Sequence, residues 1–117
     1  MIGEETLVVL ITTPTRDEAV HLARTLVEER LAACVNVVPT IHSLFYWEGK
    51  LQEEDESLLL VKTERHRYTA LEARVRELHS YTVPEILALP VERGSPAYVH
   101  WVHQHVQPEG GDLVDKE

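Results

Sequence analysis

The sequence predicts a single α+β domain in which helices cover one side of a sheet. Strand-like and amphipathic helical segments follow one another in the order strand, helix, strand, strand, helix, strand, with one more helix at the end. A length of 117 residues, of which 44% are hydrophobic, is enough for one domain with a core of its own. No internal repeat interrupts this order, so we expect one folding unit.

The first strand and helix have clear end signals. Thr6 to Thr13 is a nearly continuous β-branched and apolar run, and Pro14 ends it. Thr15 precedes Glu18 by three positions, which is the spacing of a capping box. Apolar residues then recur along one helical stripe, so we predict a helix that runs to about Leu31. The stripe consists of Ala19, Leu22, Ala23, Leu26 and Val27.

A long two-stranded hairpin is predicted next. The segment from Ala33 to Trp47 has strand character over far more than the usual length of about five or six residues. Pro39 lies in its middle, so we expect a bulge there and an edge position in the sheet. Glu48-Gly49-Lys50 is a turn signal, and the return strand passes through four acidic residues before it ends near Thr63. Large apolar groups occupy both faces of the outgoing strand, which predicts association with other copies.

The remaining segments complete the architecture. We predict a second helix from Arg67 to His79 and a short strand from Ile86 to Val91. Ser95 caps a last helix that has Pro96 at its first position. This order favours a ferredoxin-like βαββαβ sandwich with an extended hairpin and a C-terminal helix.

Composition limits the possible partners and location. Eleven Lys and Arg against twenty Asp and Glu give a net charge of −9, which argues against non-specific binding to nucleic acid or anionic membranes. No apolar run predicts a membrane span, and the acidic start lacks the basic region of an export signal. The single Cys34 fits a reducing compartment, so we expect a cytoplasmic protein. The domain is predicted to occupy residues 1–106, and 107–117 (QPEGGDLVDKE) to be a disordered acidic tail.

Few residues carry an obvious chemistry. The sequence has no glycine-rich phosphate loop and neither common zinc pattern, and no base is identifiable for Cys34 as a nucleophile, so we expect no enzyme. Cys34 is either a packing residue or a ligand for soft Cu(I). The stretch 79–85 (HSYTVPE) is equally a binding loop or the end of a helix. Lys62, on an apolar strand, requires an anionic partner, and Glu85 or a bound anion is a candidate.

Five short motifs of this sequence match one known pattern: AACVNVVP at 32–39, YWEGK at 46–50, VKT at 61–63, HSYTVPEI at 79–86 and ALP at 88–90. In these motifs the chain closely resembles the CutA family of divalent-cation tolerance proteins. The resemblance runs in one register from about Leu7 to Val102. It implies a ferredoxin-like fold, as in the trimeric PII signalling proteins, and tight trimers that form through extended hairpins.

The resemblance also implies a function. Family members are named for tolerance of copper and other divalent ions, and some are described as copper-binding. The copper pattern of those members is a cysteine in the first strand and two adjacent histidines at the end of the second helix. The corresponding residues here are Ile11 and Leu78-His79. We therefore predict a non-catalytic, cytoplasmic homotrimer that binds a divalent metal ion, with copper the first candidate.

The predicted site combines residues from the matching motifs. Imidazole, thiolate and carboxylate are usable metal ligands, and three further residues would shape a pocket between subunits. The predicted ligands are His79, Cys34 and Glu85, and the predicted pocket residues are Tyr81, Lys62 and Trp47. The alternative is a trimeric sensor that binds a small anion or metabolite in intersubunit clefts, by analogy with PII.

Overall fold

In the computed structural model, which describes residues 5–108, four strands form one antiparallel sheet in the order β2-β3-β1-β4. This order, with helices after β1 and β3, is the ferredoxin-like arrangement, so the predicted fold class is confirmed. In this part of the chain, none of the helices has the length and apolar character needed to cross a membrane. The elements are β1 (Thr6–Thr13), α1 (Arg16–Glu28), β2 (Cys34–Trp47), β3 (Lys50–Glu64), α2 (Tyr68–Leu78), β4 (Ile86–Pro90) and α3 (Pro96–His105).

The main core lies between the central strands and the first two helices. Val9 and Ile11 of β1 and Leu59 and Val61 of β3 are fully buried. α1 and α2 cover this face of the sheet with apolar side chains that are also buried: Ala19, Leu22, Leu26, Leu71 and Val75. Most of the apolar stripe predicted for α1 therefore faces the core, as the helical spacing requires. Val27, predicted as its last member, is instead 41% exposed.

The opposite face of the sheet is only partly covered. Because side chains alternate along a strand, Leu10, Leu58 and Leu60 point away from α1 and α2, and they are half-buried. α3 covers one end of the sheet, where Val102 of the helix and Val106, which directly follows the helix, pack with Ala33 in a second small core. Apolar surface therefore remains open on this face of the protomer.

Helix ends differ from the sequence prediction where the backbone turns without glycine. α1 ends at Glu28 rather than near Leu31, because Arg30 adopts a left-handed conformation with φ of 60°. The amides of Leu31 and Ala32 then both donate to the carbonyl of Leu26 and close the helix. Arg67, predicted as the start of the second helix, belongs to a short 3₁₀ turn that precedes α2.

The predicted hairpin extends beyond the core. Its strands pair regularly as far as Val38 and Leu58 and resume at Ile41 and Glu56, so the expected bulge at Pro39 is confirmed. β2 is an edge strand, as predicted from this proline. We call residues 41–56 the arm. Four apolar side chains of the arm are more than half exposed: Leu44, Tyr46, Trp47 and Leu51.

The arm has two different faces because cross-strand partners share a face. One face carries His42, which lies between two carboxylates: Nδ1 is 3.0 Å from Asp55 Oδ1, and Nε2 is 2.8 Å from Glu53 Oε1. The hydrogen bond with Glu53, followed by that with Asp55, raises the pKa of His42. The opposite face carries Glu54 and Glu56 together with aromatic residues of β2.

The arm is expected to lose stability as the pH rises. Since the folded-state pKa of His42 is raised, the contribution of its carboxylate contacts is fully present below about pH 6.5 and is lost as the pH rises through the higher folded-state pKa. NMR titration of the His42 ring checks this. Glu53→Gln should lower the pKa of His42, whereas Glu48→Gln, on the turn, should leave it unchanged. An unchanged His42 pKa in Glu53→Gln would contradict the assignment.

Candidate functional site

A cleft of about 730 Å³ lies between the arm and the loop formed by residues 79–85. Its walls come from β2 and β3 on the arm side and from the loop after α2 on the other side. We call it the arm cleft. Its lining residues are Thr12, Ser43, Leu44, Phe45, Trp47, Glu54, Glu56, Ser80, Tyr81, Thr82, Val83 and Glu85.

The arm cleft is strongly negative. Glu54 and Glu56 on β3 and Glu85 at the end of the loop all line it, and none of the described lining residues is Lys, Arg or His. Glu56 is only 8% exposed. Burial and the nearby charge of Glu56 raise the pKa of Glu85. A cation in the arm cleft would therefore relieve repulsion between neighbouring carboxylates.

Tyr81 connects the loop to the arm. Its hydroxyl donates a hydrogen bond to Glu56 Oε2 at 3.2 Å. Burial, followed by the charge of Glu56, raises the pKa of Tyr81 to about 12. The phenol therefore stays protonated at neutral pH and acts as a donor to the buried carboxylate.

Two aromatic side chains lie beside Glu54 on the cleft side of the arm, and we call them the aromatic wall. Ser43 of β2 pairs directly with Glu54 of β3, so both side chains lie on one face of the arm. Because side chains alternate along a strand, Phe45 and Trp47 lie on this face as well, and both line the arm cleft. The indole of Trp47 is 52% exposed and Phe45 is 37% exposed. The arm cleft thus offers both negative charge and exposed π-faces to a ligand.

His79 lies beneath the loop and holds it in place. Its Nε2–H donates to the carbonyl of Thr12 at 2.6 Å, and its Nδ1 accepts from the amide of Tyr81 at 3.0 Å. The imidazole side chain is fully buried, and the centroid of its ring lies 5.0 Å from that of Tyr81. Both ring nitrogens are therefore engaged inside the protomer.

Glu18 ties the same loop to α1. Thr15 Oγ1 accepts from the amide of Glu18 at 3.2 Å, as the capping-box spacing predicts. The carboxylate of Glu18 instead accepts from the amide of Ser80 at 3.0 Å and from its hydroxyl at 2.8 Å. The loop that forms one wall of the arm cleft is thus fixed to α1 and to β1.

Cys34 and Lys62 lie elsewhere on the sheet. Cys34 of β2 pairs directly with Lys62 of β3, which in turn pairs with Val8 of β1. Val8 is four residues, or about 13 Å, along β1 from Thr12, which lines the arm cleft. The half-buried Cys34 contacts Tyr98 of α3. Burial of the Tyr98 phenol raises its pKa most, and the charge and hydrogen bond of the Cys34 thiol raise it further.

Within the protomer, Lys62 does not contact Glu85, one of the two anionic partners considered for it. The ammonium of Lys62 donates to the side-chain oxygen of Asn36 and to the carbonyl of Leu60, the latter at 3.4 Å. Its partners in the protomer are thus an amide oxygen and a backbone carbonyl on its own face of the sheet, and the alternative partner, a bound anion, stays a prediction.

The structure brings together only part of the predicted site. Glu85, Tyr81 and Trp47 line the arm cleft, His79 supports it from behind, and Cys34 lies outside it. Within residues 5–108 of one protomer, no three His, Cys, Asp or Glu side chains are arranged to hold a metal ion. Sequence reasoning missed Glu54, Glu56 and Phe45, although the alternation of the arm strands was a signal for them.

A second polar cluster, also missed, attaches α3 to the sheet. The fully buried Glu64 accepts at Oε1 from His66 at 2.9 Å and from His103 at 2.8 Å. Its other oxygen, Oε2, is buried without a hydrogen bond. This cluster lies at the end of β3 that is remote from the arm cleft.

The fold and the cleft together define the class of protein: a ferredoxin-like α+β sandwich with an extended β-arm and an acidic cleft along that arm. Over residues 7–105 the chain matches the family described as CutA1 divalent ion tolerance protein. The chain therefore belongs to the CutA1 family.

Individual relatives agree with this assignment. The chain is 51% identical over 98 residues to the divalent-cation tolerance protein CutA of Thermus thermophilus, which covers 84% of this chain and 95% of the relative. It is 49% identical over 94 residues to protein CutA of Mus musculus, covering 80% of this chain but 53%, about half, of the mouse protein. The crystal structure of CutA1 from Oryza sativa has a TM-score of 0.88 at 38% identity and covers 93% of this chain and 100% of that chain.

Proposed function

We propose that this protein is a non-catalytic, cytoplasmic homotrimer that binds divalent metal ions, with copper the first candidate, and that it acts in metal-ion tolerance. The observation that carries the proposal is the arm cleft, which Glu54, Glu56 and Glu85 all line without a basic neighbour among the described lining residues. Carboxylates that repel one another attract a divalent cation. The printed names of the relatives, divalent-cation tolerance proteins, support the same class of ligand.

The open apolar surfaces support the homotrimer. The arm carries large side chains that are more than half exposed, and the sheet face opposite α1 and α2 has only half-buried leucines. Exposed contiguous apolar surface of this kind is typical of an interface. A free cysteine supports a reducing, cytoplasmic location.

A copper site would need ligands from more than one protomer. Of the predicted ligands, Glu85 lines the arm cleft, whereas Cys34 lies outside it. His79 would have to release Thr12 or Tyr81 before either ring nitrogen could bind a metal. Carboxylate and imidazole ligands suit Cu²⁺, and thiolate suits Cu⁺, so the set is chemically usable only if a neighbouring protomer completes it.

Glu85→Gln is expected to weaken Cu²⁺ binding at least tenfold, because it removes a negatively charged ligand without changing shape. Calorimetric titration of Cu²⁺ into the metal-free protein measures this. Glu28→Gln, at the exposed end of α1, is the control with the same change of net charge and should bind as the unchanged protein does. Equal affinity in all three proteins would place copper at surface histidines and contradict the proposal.

The second candidate is a sensor that binds a small metabolite in intersubunit clefts. The volume of the arm cleft, about 730 Å³, supports it, because pockets for small molecules have this size and a bare ion needs far less. The aromatic wall points the same way. A thermal-shift screen that responds to metabolites and not to metal ions would favour this candidate.

A further inference from the structure

We infer that the arm cleft binds an organic cation, an ammonium or guanidinium group on an aliphatic chain, between its carboxylates and its aromatic wall. This inference rests on the second proposed function and names the chemical class of its ligand. It excludes the anionic ligand that the analogy with PII suggested.

The charge of Glu56 is the first argument. Its side chain is almost completely buried, and its hydrogen bond comes from the neutral hydroxyl of Tyr81. The nearest charges in the arm cleft, those of Glu54 and Glu85, have the same sign, and the described lining contains no basic side chain. A buried carboxylate surrounded by like charges is unfavourable unless a cation reaches it.

The aromatic residues distinguish between kinds of cation. Phe45 and Trp47 share the cleft-facing side of the arm with Glu54, and the indole is half exposed. Aromatic faces attract ammonium and guanidinium groups through their π-electrons but supply no ligand atom to a metal ion. The apolar side chain of Val83, which also lines the arm cleft, suits an aliphatic chain.

Size and geometry agree with this choice. The arm cleft holds about 730 Å³, which is enough for an extended molecule. Among the described residues of one protomer, no set of three His, Cys, Asp or Glu is arranged to hold a metal ion. Separated carboxylates can each meet one cationic group of a longer molecule, whereas a metal ion requires them to converge.

Three linear six-carbon probes test the inference by calorimetry at low salt: hexamethylenediamine, hexanediol and adipate, which are cationic, neutral and anionic. We expect the diamine to bind and the other two to bind at least tenfold more weakly. Glu54→Gln should weaken binding of the diamine about tenfold, and Glu28→Gln, with the same change of net charge, should not. Glu54 is exposed, so its replacement leaves folding intact.

Variants of Trp47 distinguish a site for an organic cation from a site for a metal ion. Trp47→Ala should weaken binding of the diamine about tenfold. Trp47→Phe should weaken it less, since the phenyl ring keeps a π-face. The same variants should leave Cu²⁺ affinity unchanged, because the indole is not a metal ligand. If the affinities for the diamine and for Cu²⁺ both fall, the cleft has lost its shape rather than a specific contact, and the inference is overturned.

The same chemistry has a second source, a lysine or arginine side chain of a neighbouring copy. If that side chain occupies the arm cleft, the diamine does not bind, and Glu54→Gln weakens self-association in sedimentation at least tenfold, while Glu28→Gln does not. That result also supports a cation site. Preferential binding of adipate overturns the cationic class while leaving the sensor proposal intact. No diamine binding together with unchanged self-association overturns the inference.

Discussion

The double variant Tyr46→Glu/Leu51→Glu is expected to be monomeric at protein concentrations at which we expect the unchanged chain to form the proposed trimer. Tyr46 and Leu51 are direct cross-strand partners on the arm and are 75% and 57% exposed in the protomer. Burial of such side chains contributes about 1.5–3 kcal/mol each, so six of them stabilise a trimer by on the order of 10 kcal/mol. At 1.4 kcal/mol per factor of ten, their loss lowers the association constant by about seven decades.

Sedimentation equilibrium measures this, and circular dichroism establishes that the variant is folded. Lys50→Glu is the matched control, because it changes the net charge by the same amount on the same arm without replacing an apolar side chain. It should remain trimeric. Both Tyr46 and Leu51 lie on the arm face that carries His42 and not on the cleft face, so the variant tests assembly separately from the arm cleft. A trimeric double variant, or a monomeric unchanged protein, would contradict the proposed homotrimer.

Much of the fold follows from local signals in the chain. The bounds of β1 agree with the prediction at both ends, since the apolar run stops at a proline that cannot continue a strand. The bulge at Pro39 and the cap at Ser95 have the same kind of local cause. The end of α1 does not, because Arg30 takes the left-handed conformation in a place where the sequence has no glycine. That turn depends on the contacts of Leu31 and Ala32 with the helix and the sheet.

The site was less predictable because it depends on register. The acidic stretch of β3 contains four successive acidic residues, and alternation sends two of them to each face of the arm. Glu53 and Asp55 hold His42 on one face, whereas Glu54 and Glu56 line the arm cleft on the other. The strand pairing beyond the bulge decides which two of these acidic side chains face the arm cleft, and the sequence alone does not determine that pairing. The position of Lys62, four residues from the cleft along the strand, is likewise a matter of register.

The motif 79–85 illustrates how one segment can serve both interpretations. From the sequence it was equally a binding loop and a helix end. In the structure His79 follows the end of α2 and fixes the loop, while Tyr81 and Glu85 line the arm cleft. The same seven residues thus combine a buried structural anchor with exposed cleft residues.

His79→Ala is expected to lower the free energy of unfolding by about 3–5 kcal/mol. The substitution leaves the carbonyl of Thr12 and the amide of Tyr81 without their partner, and each unsatisfied buried group costs about 1–3 kcal/mol. The space left by the buried ring adds a cavity cost. Urea unfolding at one fixed protomer concentration measures the change, because the stability of an oligomer depends on concentration.

Two further variants show whether His79 supports the loop or binds metal. His100→Ala, on the exposed surface of α3, should change the free energy of unfolding by less than about 0.5 kcal/mol. His79→Gln retains a donor for Thr12 and should recover part of the loss. If His79 is mainly an anchor, Cu²⁺ affinity across these variants will follow the stability of the loop, so that glutamine restores both together. A stable His79→Ala protein that has lost only copper binding would instead establish the imidazole as a ligand, and would mean that the bonds to Thr12 and Tyr81 are exchanged for the metal.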